Sequence, residues 1–210
     1  YALDVTGDIN FTGDIRKNGT PIVMDGSETK IIAGDNVSIT GDGTTATPYV
    51  VNAIVTTYAV GDFAQGGIVF WVDETGQHGL VAATADQSNG IQWNNGLLEI
   101  TNAVRNGINA GMSNTERIIM HQGTGNYAAQ LCANYQGGGY GDWYLPSVDE
   151  LYLLYLQRGI VGGFDLFGIY RSSTEYDSQA AWIVDFSNGL QLGDAFFKPD
   201  PLAVRAIRSF

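Results

Sequence analysis

The N-terminal residues alternate between apolar and polar side chains, and this pattern constrains the fold more than any other feature of the chain. The apolar side chains fall on odd positions, namely Leu3, Val5, Ile9, Phe11 and Ile15. Thr-Gly-Asp recurs at residues 6–8, 12–14 and 40–42. A period of two predicts β-ribbon with one narrow apolar face. Because one ribbon cannot bury such a face alone, we predict that three copies wind about a common axis.

Residues 1–57 are therefore predicted to form a β-rich stalk that assembles as a homotrimer. Turn signals at Asn18-Gly19, Asp25-Gly26 and residues 41–43 separate short apolar runs. A flexible linker rich in Gly and Asp is the alternative, although linkers rarely keep this alternation. Residues 5–21 resemble the repeat-built stalks of bacteriophage tail fibres.

Composition and charge exclude several partners. The formal net charge is -12, which repels phosphate backbones and anionic membrane surfaces, so we expect no nucleic acid partner. No apolar run reaches the ~18 residues of a spanning helix, so we expect no membrane insertion. With Cys132 as the single cysteine, no intrachain disulfide or Cys₂ metal site can form.

Residues 58–210 are predicted to form one α+β domain, with strands at both ends and helices in the middle. Apolar runs at residues 66–72 and 79–83 flank a turn and predict a hairpin. Helix starts are indicated by the capping-box spacing of residues 113–116 and 147–150. Residues 127–135 predict a further helix. Residues 181–186 and 203–210 predict terminal strands, with Asn188-Gly189 in a turn.

Five motifs occur in order and resemble a lectin-like domain family found at the C-termini of bacterial collagen-like adhesins and fibre proteins. They are residues 66–70, 127–132, 138–151, 172–175 and 204–208. The resemblance implies a C-type-lectin-like fold and adhesion, often as a trimer, to a glycan or protein ligand. The calcium-dependent sugar tripeptides of such lectins are absent from the sequence. Residues 61–210 hold fifteen acids against seven Arg and Lys, which favours a neutral glycan or a protein receptor over sulfated polysaccharide.

Most motif residues are interpreted as structural: Trp143 and Trp182 in the core, and Ser173, Glu175 and Arg205 in an internal polar network. Ligand binding is instead assigned to three loops. The predicted binding residues are Trp93, Asn94 and Asn95 in residues 86–95; Tyr170, Arg171 and Tyr176 in residues 170–179; and Asp194, Phe196, Phe197 and Lys198 in residues 191–201. Adjacent phenylalanines in a polar loop make the third loop the strongest prediction. An alternative for this pair is a contact at the subunit boundary of the trimer. For Trp93 the alternative is a buried ring at the base of its loop.

No combination of residues predicts catalysis, a metal or a cofactor. His78 and His121 lie in different segments without metal-ligand spacing, and acidic pairs occur at ordinary turn and helix-start positions. We therefore expect a non-enzymatic, receptor- or glycan-binding head of a trimeric fibre on a virion surface or outside a cell. The alternative is a structural subunit of a surface filament or virion whose head makes assembly contacts.

Overall fold

The computed structural model describes residues 16–17, 20–21, 33 and 35–210. The chain divides into two compact units, Tyr1–Val55 and Thr56–Phe210. The alternating residues 3–15 and the turn at residues 25–26 lie outside the described residues, so the predictions made for them stay predictions.

The N-terminal unit contains two short antiparallel ribbons. Its strands are β1 (Arg16–Lys17), β2 (Thr20–Pro21), β3 (Val37–Thr40) and β4 (Val50–Ala53). The first pair flanks the predicted Asn18-Gly19 turn, which itself is not among the described residues. In the second pair, Val37 lies opposite Ala53 and Thr40 lies opposite Val50. The β-structure predicted for this part is thus found where the chain is described.

The C-terminal unit is a mixed α/β fold with two sheets and few helices. Its strands are β5 (Phe63–Ala64), β6 (Gly67–Val72), β7 (Gly79–Ala82), β8 (Ser88–Ile91), β9 (Ile169–Glu175), β10 (Ala181–Asp185), β11 (Gln191–Leu192), β12 (Leu202–Val204) and β13 (Ile207–Ser209). Its helices are α1 (Ala110–Gln122), α2 (Ala128–Ala133), α3 (Val148–Leu156) and α4 (Arg158–Val161). One sheet has the order β11-β10-β9-β12-β8, and the other has the order β13-β7-β6-β5. Helices α1 and α3 lie against β9 and bury its side chains.

The predicted hairpin is confirmed, because β6 and β7 pair antiparallel with Val69 opposite Val81. The capping box of α3 is also confirmed. The Ser147 side chain accepts the Glu150 backbone N–H, and the Glu150 carboxylate accepts the Ser147 N–H. In both cases the contacts join residues that are close in sequence.

Two sequence predictions need correction. Helix α1 begins at Ala110 rather than near Ser113, and its N-cap is Asn109 in a left-handed conformation. The side chain of Glu150 supplies what a local cap would, because it accepts the N–H groups of Asn109 and Gly111. Residues 203–210 form two strands in different sheets instead of one run, because the chain crosses between the sheets at Arg205, which is buried.

The core comprises two clusters of buried side chains. One contains Trp93, Ile118 and Trp143, and the other contains Phe70, Leu151 and Tyr170. The chain ends beside the start of its own unit, with the Phe210 ring 5.0 Å from that of Tyr58. Among the described residues, no helix combines the length and apolar character that a membrane span requires.

Candidate functional site

The loop of residues 193–201, which we call the Phe197 loop, is anchored to the interior of the C-terminal unit by a buried lysine. Lys198 has no exposed surface, and its ammonium lies 2.7 Å from Glu175 Oε1 and 2.8 Å from the Glu99 carbonyl oxygen. The ammonium also lies 4.6 Å from the centroid of the Trp93 ring. A buried charge needs such partners to offset its desolvation. The loop is therefore tied to the core at its centre.

A second buried cation holds the same loop. Arg171 projects from β9, and its Nη2 donates to the carbonyl oxygens of Phe197 and Asp200. Burial lowers the pKa of Arg171 to about 10, and the negative charge of Asp200 opposes this effect. The guanidinium remains protonated at neutral pH, so it keeps its role as a donor to the loop backbone.

Backbone hydrogen bonds complete the anchoring. The Lys198 backbone N–H donates to the Gln179 carbonyl oxygen at 2.7 Å, and the Lys198 carbonyl oxygen accepts the Trp93 backbone N–H at 2.8 Å. The Phe197 N–H donates to Asp200 Oδ2 at 2.8 Å. At the start of the loop, a Cβ atom at Gly193 would lie 2.3 Å from the Tyr176 ring, so glycine allows this ring to pack closely against the backbone. The loop conformation is thus fixed at several points.

The outer side of the Phe197 loop borders a small recess. The Phe197 side chain is 53% exposed. The recess has a volume of about 290 Å³ and is lined by Leu98, Gln179, Phe197, Pro199 and Asp200. Leu97 and Ile100, which are close to Leu98 in sequence, are also exposed. Clustered exposed apolar side chains with polar groups at their margin are typical of interaction sites.

Five of the ten predicted binding residues are buried, which corrects their placement at the surface. Each makes internal contacts instead. The five are Trp93, Asn94, Tyr170, Arg171 and Lys198. The Trp93 indole N–H donates to the Ser172 carbonyl, and the Tyr170 hydroxyl donates to Asp86. These residues support the loops and do not present a surface to a ligand in this conformation.

The other five reach the surface to different degrees. Phe197 and Asp194 are exposed, Phe196 is half-buried, and Tyr176 is 48% exposed with its ring 5.6 Å from the Trp182 ring. Asn95 is half-buried, and its amide donates to the Gln122 and Thr124 carbonyls. Only Phe197 of these lines the recess. Ligand binding by this set stays a prediction.

Leu98, Gln179 and Pro199 were missed by the sequence reasoning although they line the recess. The Leu97-Leu98 pair in a polar stretch was the available signal, because consecutive apolar residues are unusual in a loop. Gln179 carries no such signal. It reaches the recess because its carbonyl pairs with the Lys198 N–H, a contact that only the fold creates.

Asp200 lines the recess, and Asp177 precedes the lining residue Gln179 by two positions. Asp177 is exposed, and hydrogen bonds from the backbone N–H groups of Gln179 and Ala180 lower its pKa.

The described residues contain no group of three or more His, Cys, Asp or Glu side chains suited to a metal ion. Cys132 is buried, and burial raises the pKa of its thiol, so the thiolate form is disfavoured.

Comparisons with known proteins address only the fold. No family model matches the chain, and no curated protein sequence matches it. Among solved structures, a fimbrial protein from Bacteroides ovatus ATCC 8483 is similar, with a TM-score of 0.50 and 17% sequence identity. The similarity covers 82% of this chain and 48% of that protein, so the chain spans about half its length.

Proposed function

We propose that this chain is a subunit of a surface appendage, and that its C-terminal unit is a recognition head that attaches to a glycan or protein receptor on a cell surface. The observation that carries the proposal is Phe197, half exposed beside a recess on a loop whose underside is anchored by buried Lys198 and Arg171. A rigidly presented aromatic side chain loses little entropy on binding and is a common interface anchor.

The fold supports this proposal at a coarse level. A fimbrial protein has a similar fold, and fimbriae are surface appendages. Two sheets, helices that lie between β8 and β9 in sequence, and ends of the C-terminal unit that meet are compatible with the C-type-lectin-like head of the resembled family. We extend the proposal to that fold family and to a location outside the cell or on a virion surface. Catalysis, a cofactor and a metal have no part in it.

The proposed stalk assembles as a homotrimer. In the described part of the N-terminal unit, Val50 and Val51 on β4 are 48% and 63% exposed, and Ile54 and Val55 are more than half exposed. A two-stranded ribbon is marginally stable in water, so association with further copies would stabilise it. The predicted trimer provides those copies.

A second candidate is an assembly contact, in which the head binds a neighbouring subunit of the same filament. The fimbrial character of the similar structure favours it. The two candidates differ in the partner of the Phe197 loop. A receptor-binding head attaches to cells without polymerising, whereas an assembly subunit forms higher oligomers that depend on the same loop.

Attachment of the fluorescently labelled full chain to candidate host cells tests the proposal. Phe197→Ala should weaken attachment about tenfold or more, because a central aromatic anchor contributes upward of about 1.4 kcal/mol. The matched control is Phe63→Ala, since Phe63 is 73% exposed but lies on β5, away from the recess. Equal attachment by the two variants would contradict the proposal. Loss of higher oligomers in Phe197→Ala, without cell attachment by the parent chain, would favour the assembly contact.

A further inference from the structure

The recess beside Phe197 is the first of three that share lining residues. The second has a volume of about 440 Å³, is lined by Gln92 and Asn126 among others, and shares Pro199 with the first. The third has a volume of about 550 Å³ and shares Pro201 with the second. Each recess thus shares one lining proline with the next, and all three include residues from the stretch 197–203. We call the three recesses together the groove.

Side-chain amides recur along the groove. Gln179 lines the first recess, Gln92 and Asn126 the second, and Asn89 the third. Across the described part of the chain, the amide groups of these four residues form no hydrogen bond, although Asn94 and Asn95 nearby do. Each amide offers both donors and an acceptor. The groove thus presents four unused hydrogen-bonding groups of both kinds.

An exposed phenylalanine stands at each end of the groove. Phe197 borders the first recess, and Phe167, which is 87% exposed, borders the third. The turn that carries Phe167 is fixed, because the Phe167 and Gly168 N–H groups donate to the side chain and the carbonyl of Asp165, each at 3.0 Å. The Asp165 N–H in turn donates to the Tyr170 hydroxyl at 2.9 Å. Phe167 is therefore held outward by an ordered turn.

The charge of the groove selects among ligands. Among the residues that the structure describes, no Lys or Arg lines the three recesses. The acidic lining residues are Asp86, Asp165 and Asp200, and Asp86 is paired with Arg205. An anionic ligand such as a sulfated polysaccharide would meet negative charge without a compensating cation.

We propose that the groove binds a linear, neutral polysaccharide whose successive sugar units occupy the three recesses. The faces of Phe167 and Phe197 attract the C–H groups of a sugar ring, since an aromatic face carries partial negative charge. The amides between them exchange hydrogen bonds with hydroxyl groups, which are also both donors and acceptors. This inference rests on the proposed recognition function and names the ligand class for it.

A protein partner fits the groove less well. The cores of protein interfaces are depleted of unpaired polar groups, and the four amides would each need a matching partner on a folded surface. A polysaccharide carries hydroxyl groups on every unit, so it meets this requirement along its whole length. The unpaired amides of the groove therefore favour a saccharide ligand over a protein partner.

The test measures binding of the full chain to a panel of neutral linear oligosaccharides of two to six units, with gluco, galacto and manno backbones, and to sulfated counterparts. Affinity should rise with length for at least one neutral series. Phe167→Ala and Phe197→Ala should each lower the affinity for the longest member roughly tenfold, through loss of buried apolar area. Asn126→Ala should lower it roughly fivefold, the value of about one hydrogen bond.

Two matched controls separate the groove from the rest of the surface. Phe63→Ala removes an exposed phenylalanine, and Gln77→Ala removes an exposed amide, and neither residue lines the groove. Both should bind like the parent chain. A two-unit saccharide should respond to only one of the two groove phenylalanines, because two units fill at most two of the three recesses and the phenylalanines line the first and the third.

The inference is overturned if no neutral saccharide binds, if sulfated members bind more tightly, or if the groove variants match their controls. The proposed function has a separate readout. If attachment to cells depends on Phe197 while no saccharide binds, the receptor is a protein, and the recognition head stands without its polysaccharide ligand.

Discussion

The β3–β4 ribbon and the C-terminal unit handle their apolar side chains in opposite ways. All four residues of β4 are exposed, including Val50 and Val51, whereas all four residues of β7 are buried. The C-terminal unit also supports buried charges such as Lys198 and Arg205 with internal partners. The C-terminal unit therefore buries its apolar side chains against residues of the same chain. The other presents apolar surface that further copies of the chain are proposed to cover.

The largest expected effect tests whether the C-terminal unit is stabilised from within. The buried carboxylate of Glu150 accepts the N–H groups of Ser147, Asn109 and Gly111 and the hydroxyl of Tyr144. Glu150→Ala leaves these four donors unpaired and should lower the free energy of unfolding by about 3–5 kcal/mol. Denaturant unfolding followed by tryptophan fluorescence measures this change, because all four tryptophans belong to the C-terminal unit.

The matched control is Glu116→Ala, which removes an exposed carboxylate from helix α1. Its effect should stay within about 0.5 kcal/mol. The unfolding midpoint of the parent chain should also be independent of protein concentration. A midpoint that rises with concentration would show that the C-terminal unit depends on association as well, and the contrast between the two regions would disappear.

A smaller effect is expected in the N-terminal ribbon. Val51→Asp places a charge on its exposed apolar surface and should weaken self-association roughly tenfold or more, because the charge must be desolvated at the interface. Sedimentation velocity over a range of concentrations measures the oligomer. Asn52→Asp introduces the same charge at the neighbouring exposed position and serves as the control.

Two results would count against the assembling ribbon. One is a parent chain that sediments as a single copy at every concentration. The other is equal dissociation by the two aspartate variants. In neither variant should the tryptophan-detected stability of the C-terminal unit change by more than about 0.5 kcal/mol, since surface substitutions away from a core have small effects.

Local signals in the sequence predicted much of the fold. The β6–β7 hairpin, the capping box at Ser147 and the turn at Asn188-Gly189 depend on residues a few positions apart, and the structure confirms all three. The predicted start of α1 was wrong because the carboxylate that accepts its first backbone N–H groups belongs to Glu150, about forty positions away in sequence. A distant side chain that replaces a cap leaves no trace in the local pattern.

The candidate site was predictable only in part. The Phe196-Phe197 pair pointed to a loop whose Phe197 is exposed beside a recess, whereas Arg171 and Lys198 were expected at the surface and are buried. Charged residues are normally exposed, and their burial here depends on partners that the chain brings from elsewhere, such as Glu99 for Lys198. The amides of the groove were not predicted, because only the fold places Asn89 and Gln179 in recesses that are linked through Pro199 and Pro201.

Hydroxyl-radical footprinting of the full chain, free and attached to cells, tests the central claim most directly. Phe63, Phe167 and Phe197 are all more than half exposed, so each should be oxidised in the free chain. On attachment, oxidation of Phe197 and Phe167 should fall, while Phe63 should be oxidised as before. Protection of Phe63 with continued oxidation of the two groove phenylalanines would contradict recognition through this surface.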